Sequence, residues 1–116
     1  MPTANSNNAA TPGDDSDLMP RPLAGRHAFV TGGNRGIGAA IAWELADLGA
    51  NITLAARDEA ALRHQSQALS QRGDIAVTCQ AMDLREPGSI SEGMAAAREE
   101  LGPISILINN AGIAPA

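Results

Sequence analysis

Four short apolar runs alternate with three longer stretches in which apolar residues recur every three or four positions. The runs cover residues 27–31, 51–55, 75–81 and 104–108. Because their hydrophobic residues are largely consecutive, they predict strands that are buried on both faces of a parallel sheet. The stretches between them have the spacing of one helix face. The chain from residue 25 onward is therefore predicted to fold as β-α-β-α-β-α-β.

Each predicted helix has its own start and stop signal. Asp58 can accept hydrogen bonds from the first-turn amides of a second helix that runs through Gln71, and Pro87 suits the first turn of the third. Gly49, Gly73 and Gly102 are placed to end the three helices. The apolar stripes that we expect to be buried are Ile37, Ile41, Leu45 and Leu48 in the first helix, Leu62 and Leu69 in the second, and Ile90, Met94, Ala97 and Leu101 in the third.

This alternation predicts an α/β fold, a Rossmann-type parallel sheet with helices on both faces. Right-handed crossovers leave few topologies, and the expected strand order is 3-2-1-4. We assign residues 25–116 to this domain. Residues 1–24 are rich in Pro, Asn, Ala, Asp and Ser, and Pro12, Pro20 and Pro22 interrupt any regular element. They predict a disordered leader, with a specific docking role as the alternative.

A glycine-rich turn joins the first strand to the first helix and reads Thr-Gly-Gly-Asn-Arg-Gly-Ile-Gly over residues 31–38. Residues without a Cβ let the chain turn sharply out of a strand and approach an anion closely. The helix that follows offers free N–H groups and the positive end of its dipole. No Gly-Lys-Ser/Thr follows, so the turn is not a P-loop. Its position in a βαβ unit predicts dinucleotide binding, and the alternative is a purely structural turn.

Composition and charge exclude several classes of function. The chain has 116 residues and a formal net charge of -5, without the positive stripe that a nucleic-acid partner needs. Its one cysteine cannot form an internal disulfide, and no apolar stretch reaches the roughly 18 residues of a membrane span. We therefore expect a cytoplasmic protein with neither nucleic acid nor membrane as partner. His27, His64 and Cys79 are isolated, which predicts no metal site.

Two motifs together resemble the short-chain dehydrogenase/reductase family. They are Thr31-Gly32-x-x-x-Gly36-Ile37-Gly38 and, closing the fourth strand, Asn109-Asn110-Ala111-Gly112. The chain is most similar to the family's 3-oxoacyl-[acyl carrier protein] reductase-type members, and the resemblance runs from about residue 25 to the end. It implies an NAD(P)(H)-dependent oxidoreductase that reduces a carbonyl or oxidises an alcohol by hydride transfer.

The same resemblance implies which residues contact the cofactor. Asp83 and the backbone of Leu84 would lie beside the adenine, and Asn110 near a ribose. Asn109 and Gly112 would mainly brace the central sheet. The alternative for Asp83 is an ordinary loop carboxylate. The implied cofactor-binding residues are Gly32, Gly33, Asn34, Arg35, Gly36, Ile37, Gly38, Arg57, Asp83, Leu84 and Asn110.

The residue just after the second strand distinguishes NADP(H) from NAD(H). An acidic residue there binds the ribose 2′-OH, whereas an arginine favours the 2′-phosphate. Arg57 falls at this position and Asp58 starts the next helix, while Arg35 could form a second cationic contact. Paired guanidinium groups suit a phosphate because their planar donors bind in pairs. The pattern favours NADP(H) over NAD(H), although both arginines could instead be solvated and Arg57 could pair with Asp58 or Glu59.

The chain contains no tyrosine, and all eight of its basic residues are arginine. The resemblance implies a catalytic Ser and a Tyr-x-x-x-Lys motif beyond the Asn-Asn-Ala-Gly turn, so no catalytic residue is assigned in this chain. We expect the N-terminal half of a reductase, as a natural truncation or a partial sequence, that is inactive alone. The complete form would act on a small carbonyl or alcohol substrate as a homo-oligomer. The alternative is a stand-alone, non-catalytic dinucleotide-binding module.

Overall fold

The computed structural model describes residues 21–33 and 36–110, so most of the predicted leader lies outside the described residues. Within them, four parallel strands form one sheet in the order β3-β2-β1-β4, which confirms the predicted α/β architecture and strand order. The strands are β1 (His27–Thr31), β2 (Asn51–Ala56), β3 (Val77–Ala81) and β4 (Ile106–Asn109), and the helices are α1 (Gly36–Asp47), α2 (Glu59–Leu69) and α3 (Pro87–Leu101).

Burial on both faces holds for the two central strands and fails for the outer two. All five residues of β1 and the inner four of β2 are buried. In contrast, β4 alternates between half-buried and exposed positions, and Leu107 is 55% exposed. Ile106 and Ile108 pack against the core formed with α1 and α2, whereas Leu107 points to the opposite face of the sheet. The described helix on that face, α3, contacts β3 and β2 and leaves Leu107 of β4 exposed.

The buried stripe of α1 differs from the predicted one. Ile37 is 70% exposed and Leu48 is also exposed, while the fully buried positions of the helix are Gly38, Ala42 and Ala46. Each buried position lies one residue after a position of the predicted apolar stripe. Small side chains let the helix lie close to the sheet, and side-chain size at the contact sets that distance. Ile41 and Leu45 are half-buried and Leu45 packs against the core, so hydrophobicity alone placed the buried stripe one residue away from its observed position.

The second and third helices follow the predicted signals more closely. The Asp58 carboxylate accepts a hydrogen bond from the amide of Ala61 at 3.1 Å, and Leu62 and Leu69 are fully buried. The α2 helix ends at Leu69 rather than Gln71, capped by Ser70. The α3 helix begins at Pro87 as predicted. Its fully buried positions are Gly93 and Ala97, while Ile90, Met94 and Leu101 are half-buried.

A buried polar network lies at the amino ends of the strands. The His27 ring is buried, and its Nδ1 lies 2.8 Å from the Gly102 carbonyl oxygen. Its Nε2 lies 2.7 Å from Thr53 Oγ1, which in turn lies 3.0 Å from Thr78 Oγ1. Because a carbonyl only accepts, Nδ1 must donate. This network ties β1, β2 and β3 to the residue after α3, so His27 has a structural role.

No helix in the described ranges is both long enough and apolar enough to cross a membrane.

Candidate functional site

One predicted cofactor residue follows each of the four strands. Gly32 comes directly after β1, Arg57 after β2, and Asn110 after β4, while Asp83 follows β3 by two residues. Because the strands are parallel, all four residues lie at the carboxyl edge of the sheet. Ligands of open α/β sheets bind at this edge, beside the point where the strand order reverses. In this sheet that point is at β1, between its neighbours β2 and β4.

The glycine-rich turn leaves β1 through a backbone conformation that favours glycine. The amide of Gly32 donates to the Ala55 carbonyl at 2.7 Å, extending the ladder between β1 and β2 by one bond. Gly32 has φ 67° and Gly36, the first residue of α1, has φ 63°. A Cβ at Gly36 would have no heavy atom within 4 Å, so the start of α1 is open. Asn34 and Arg35 lie outside the described residues.

Close packing fixes the other two glycines of the turn. A Cβ at Gly38 would collide with the Gly32 carbonyl oxygen and lie 2.8 Å from Asn110 Nδ2. A Cβ at Gly33 would lie 2.7 Å from Leu54 Cδ2. The geometry therefore brings Gly38 and Asn110 together, and it makes Gly33 a packing position between the turn and β2.

Thr31 joins β1 to the end of β4, a role that the sequence analysis did not assign. The Asn110 amide donates to Thr31 Oγ1 at 2.9 Å. The Thr31 hydroxyl hydrogen is shared between the Ile108 carbonyl at 3.3 Å and Asn109 Oδ1 at 3.2 Å. Thr31 thereby fixes the position of Asn110 beside the glycine turn. The feature of the sequence that could have indicated this role is a hydroxyl residue at the last position of a buried strand.

Arg57 is exposed at the end of β2, and the two carboxylates considered as its partners are engaged elsewhere. Asp58 caps α2, and Glu59 forms an ion pair with Arg63 at 2.8 Å. Arg57 makes no ion pair within residues 21–33 and 36–110. Its positive charge is therefore available to an anionic ligand at this edge of the sheet.

Asp83 carries a strongly perturbed carboxyl group. Hydrogen bonds from the Arg85 side chain, and then from its backbone amide, lower the pKa of Asp83 to about 2. Partial burial opposes this shift, and the charges of Arg85 and Arg57 add to it. Because the charge of Arg57 helps to lower the pKa of Asp83, the ends of β2 and β3 share one electrostatic environment. Sequence reasoning did not single out Arg85.

Two apolar residues complete the predicted set. Leu84 is half-buried and packs against the cluster of Phe29, Ala55, Met82 and Ala97. Ile37 lies in solvent beside the glycine turn. The edge thus combines an open helix start, the exposed guanidinium of Arg57 and the oriented carboxylate of Asp83. These groups can bind and orient a nucleotide.

Comparison with known proteins identifies the family of this chain. The profile of the short chain dehydrogenase family matches residues 26–116. Gluconate 5-dehydrogenase of Gluconobacter oxydans is 40% identical over 91 residues, which are 78% of this chain and 35% of that protein.

Solved structures give the same result. L-sorbose reductase from Gluconobacter frateurii, complexed with NADPH and L-sorbose, superposes with a TM-score of 0.77 at 33% identity, over 84% of this chain and 37% of that one. An F189W actinorhodin polyketide ketoreductase with NADPH has a TM-score of 0.71 at 36% identity, over 75% and 33% of the two chains. This chain thus spans about a third of the length of these relatives. Together with the strand order and the glycine turn, these matches establish that the chain belongs to the short-chain dehydrogenase family.

Proposed function

We infer that this chain binds the adenosine and pyrophosphate parts of NADP(H) within an oxidoreductase that transfers hydride between the nicotinamide and a small carbonyl or alcohol. The observation that carries this proposal is the glycine turn at the carboxyl edge of the sheet. There Gly36 opens α1 with φ 63° and empty space where a Cβ would lie. A bound pyrophosphate would meet the free amides and the positive dipole end of this helix.

The 2′-phosphate would be held by Arg57. Its guanidinium is exposed at the end of β2, and both Asp58 and Glu59 have other partners. Discrimination in favour of NAD(H) would require a carboxylate free to bind the ribose hydroxyls at this position. Asp58 lies one residue beyond that position, where it caps the start of α2 through Oδ1. Two relatives solved with NADPH support the same preference.

The remaining implied contacts would follow the bound dinucleotide along this edge, from β3 to β4. Asp83 and Leu84 at the end of β3 would flank the adenine. The glycines of the turn, with Asn34, Arg35 and Ile37, would surround the pyrophosphate. Asn110, which touches the first turn of α1 beside Gly38, would lie near the ribose on the nicotinamide side.

The bond-making chemistry would come from outside this chain. Proton transfer to or from the substrate oxygen needs an acid or base near the operating pH. The chain has no tyrosine and no lysine, so it offers neither a phenol nor an amine. We propose that the chain is the cofactor-binding part of a reductase of the 3-oxoacyl-[acyl carrier protein] type, inactive alone. Homo-oligomers would be a property of the complete protein.

Coenzyme titration tests this proposal. The single tryptophan, Trp43 in α1, can transfer excitation energy to bound NADPH, so sensitised NADPH emission reports binding. We expect saturable binding of NADPH, with NADH weaker by at least about tenfold, equivalent to about 1.4 kcal/mol. No binding of either coenzyme at millimolar concentration would overturn the proposal. Equal affinities for NADPH and NADH would overturn only the assignment of Arg57 to the 2′-phosphate.

A further inference from the structure

A titratable side chain lies in the core, away from the edge of the sheet that carries the proposed coenzyme residues. His27 begins β1 at the amino edge of the sheet, and the residue is 1% exposed. The four described strands contain no Asp, Glu, Lys or Arg, so this imidazole is the one side chain among them that can gain a positive charge. Its hydrogen bonds show how the fold accommodates a proton there.

When the ring is neutral, each hydrogen bond around it has one possible direction. Nδ1 lies 2.8 Å from the Gly102 carbonyl oxygen, which only accepts, so Nδ1 carries the hydrogen. Nε2 is then an acceptor, and the Thr53 hydroxyl donates to it at 2.7 Å. Since this bond uses the one hydroxyl hydrogen of Thr53, the Thr78 hydroxyl must donate to Thr53 Oγ1 at 3.0 Å. The donors therefore point from Thr78 toward the ring.

Protonation of the ring reverses two of these bonds without moving a heavy atom. Both nitrogens of an imidazolium donate, so Nε2 donates to Thr53 Oγ1 and Thr53 turns its own hydrogen to Thr78 Oγ1. Separations of 2.7 and 3.0 Å suit a hydrogen bond in either direction. Thr78 is half-buried on the outer strand β3, so its released hydrogen can turn to solvent. Each buried donor of the network thus keeps an acceptor in both states.

A helix end, and not a carboxylate, stabilises a positive charge on the ring. Gly102 is the C-cap of α3, where the helix dipole is negative and favours a cation. The ring forms no ion pair within residues 21–33 and 36–110. Cys79, the other titratable residue of the strands, follows Thr78 and therefore points to the opposite face of the sheet. The charged residues at the ends of the elements around the ring are all exposed, and they are Arg26, Asp74, Arg98, Glu99 and Glu100.

We propose that His27 is a pH-sensitive switch built into the sheet: protonation of the ring reverses the hydrogen bonds of Thr53 and Thr78 and places a positive charge against the end of α3, while the strands stay paired. Thr78 makes the charged state possible, because its oxygen accepts the displaced hydrogen of Thr53. A charge-assisted bond from Nδ1 to the Gly102 carbonyl is stronger than the neutral one, so acidification tightens the junction between α3 and β1. The switch lies at the edge opposite to the coenzyme residues and does not depend on the proposed function.

Nitrogen NMR of the full chain with ¹⁵N-labelled histidine tests the switch, because the spectra distinguish bare from protonated ring nitrogens. In the neutral ring we expect Nδ1 of His27 to be protonated and Nε2 to be bare. On acidification both nitrogens should become protonated while the backbone amide spectrum stays that of the folded chain. His64, which is exposed on α2, is the internal reference. A neutral ring with its hydrogen on Nε2, or a ring that is protonated only as the chain unfolds, would overturn the proposal.

The T78V variant removes the acceptor that only the protonated state requires. With a neutral ring it leaves a lone pair of Thr53 unused, whereas with a charged ring it leaves the buried Thr53 hydroxyl hydrogen without an acceptor, which costs more. We therefore expect His27 of T78V to take up its proton at a pH about one unit lower, equivalent to about tenfold weaker proton binding. T78S keeps the hydroxyl and is the matched control.

Equal titration of His27 in T78V and T78S would overturn the role of Thr78 and the switch with it. A contribution of Thr78 to stability alone would shift the unfolding midpoint and leave the titration of His27 unchanged, so it gives that same contradicting result. T78A lacks the same oxygen and replaces T78V, with the same expectation, if the valine variant does not fold.

Discussion

Asn110 and Gly38 are in direct contact, because a Cβ at position 38 would lie 2.8 Å from Asn110 Nδ2. The contact joins the end of β4 to the first turn of α1 across the switch point of the sheet. It leaves no room for a larger residue at position 38. The close approach of the glycine turn to Asn110 thus depends on the absence of a side chain at Gly38.

G38A is expected to destabilise the fold by about 1–3 kcal/mol, because its methyl group overpacks the junction of the turn, α1 and Asn110. It should also weaken NADPH binding. Urea unfolding measures the first effect. G88A is the control: Gly88 lies in α3 with nothing within 4 Å of its Cβ position. Alanine there should be neutral or stabilise by up to about 1 kcal/mol. Equal unfolding midpoints for the two variants would contradict the close contact.

R57Q is expected to weaken NADPH binding by about 10- to 100-fold and to leave NADH binding nearly unchanged. Loss of a hydrogen bond to a charged group costs about 1.5–3 kcal/mol, and only NADPH carries the 2′-phosphate. Titration with both coenzymes measures the ratio, and R63Q controls for loss of one exposed positive charge. A parallel loss of affinity for both coenzymes would place Arg57 elsewhere in the site.

R85Q is expected to raise the pKa of Asp83 from about 2 toward the ordinary value of about 3.9. A lowered carboxyl pKa stabilises the folded chain fully above the unfolded-state value, and this contribution disappears as the pH falls through about 2. Carboxyl ¹³C chemical shifts followed against pH measure the change directly. An unchanged titration of Asp83 in R85Q would show that the ion pair is absent in solution.

H27A is expected to destabilise the chain by about 2–5 kcal/mol. The substitution opens a cavity and leaves the buried partners of the ring, Thr53 Oγ1 and the Gly102 carbonyl, short of a hydrogen bond. H64A is the control, because His64 is exposed on α2 and its loss should change stability by no more than about 0.5 kcal/mol. Chemical denaturation compares the two, and a small effect of H27A would contradict the structural role of the network.

Local patterns predicted the element order, the glycine turn and the cap at Asp58. Consecutive apolar residues and helix spacing are properties of neighbouring positions, and so are capping and turn signals. Arg57 could be assigned from its position just after the second strand, whereas Asp83 and Asn110 were assigned only through the resemblance to the short-chain dehydrogenase/reductase family. The strand boundaries were less accurate: β3 begins at Val77 rather than residue 75, and β4 ends at Asn109.

The sequence by itself determined the order of the elements and which residues follow each strand, because both depend on near neighbours in the chain. Only the tertiary structure decided that α1 buries Gly38, Ala42 and Ala46 more deeply than its larger apolar residues. The same holds for the hydrogen bonds of His27 and for the side-chain pairing of Arg85 with Asp83. Each depends on how closely two elements approach or how a loop is anchored, and hydrophobic periodicity carries no information about either.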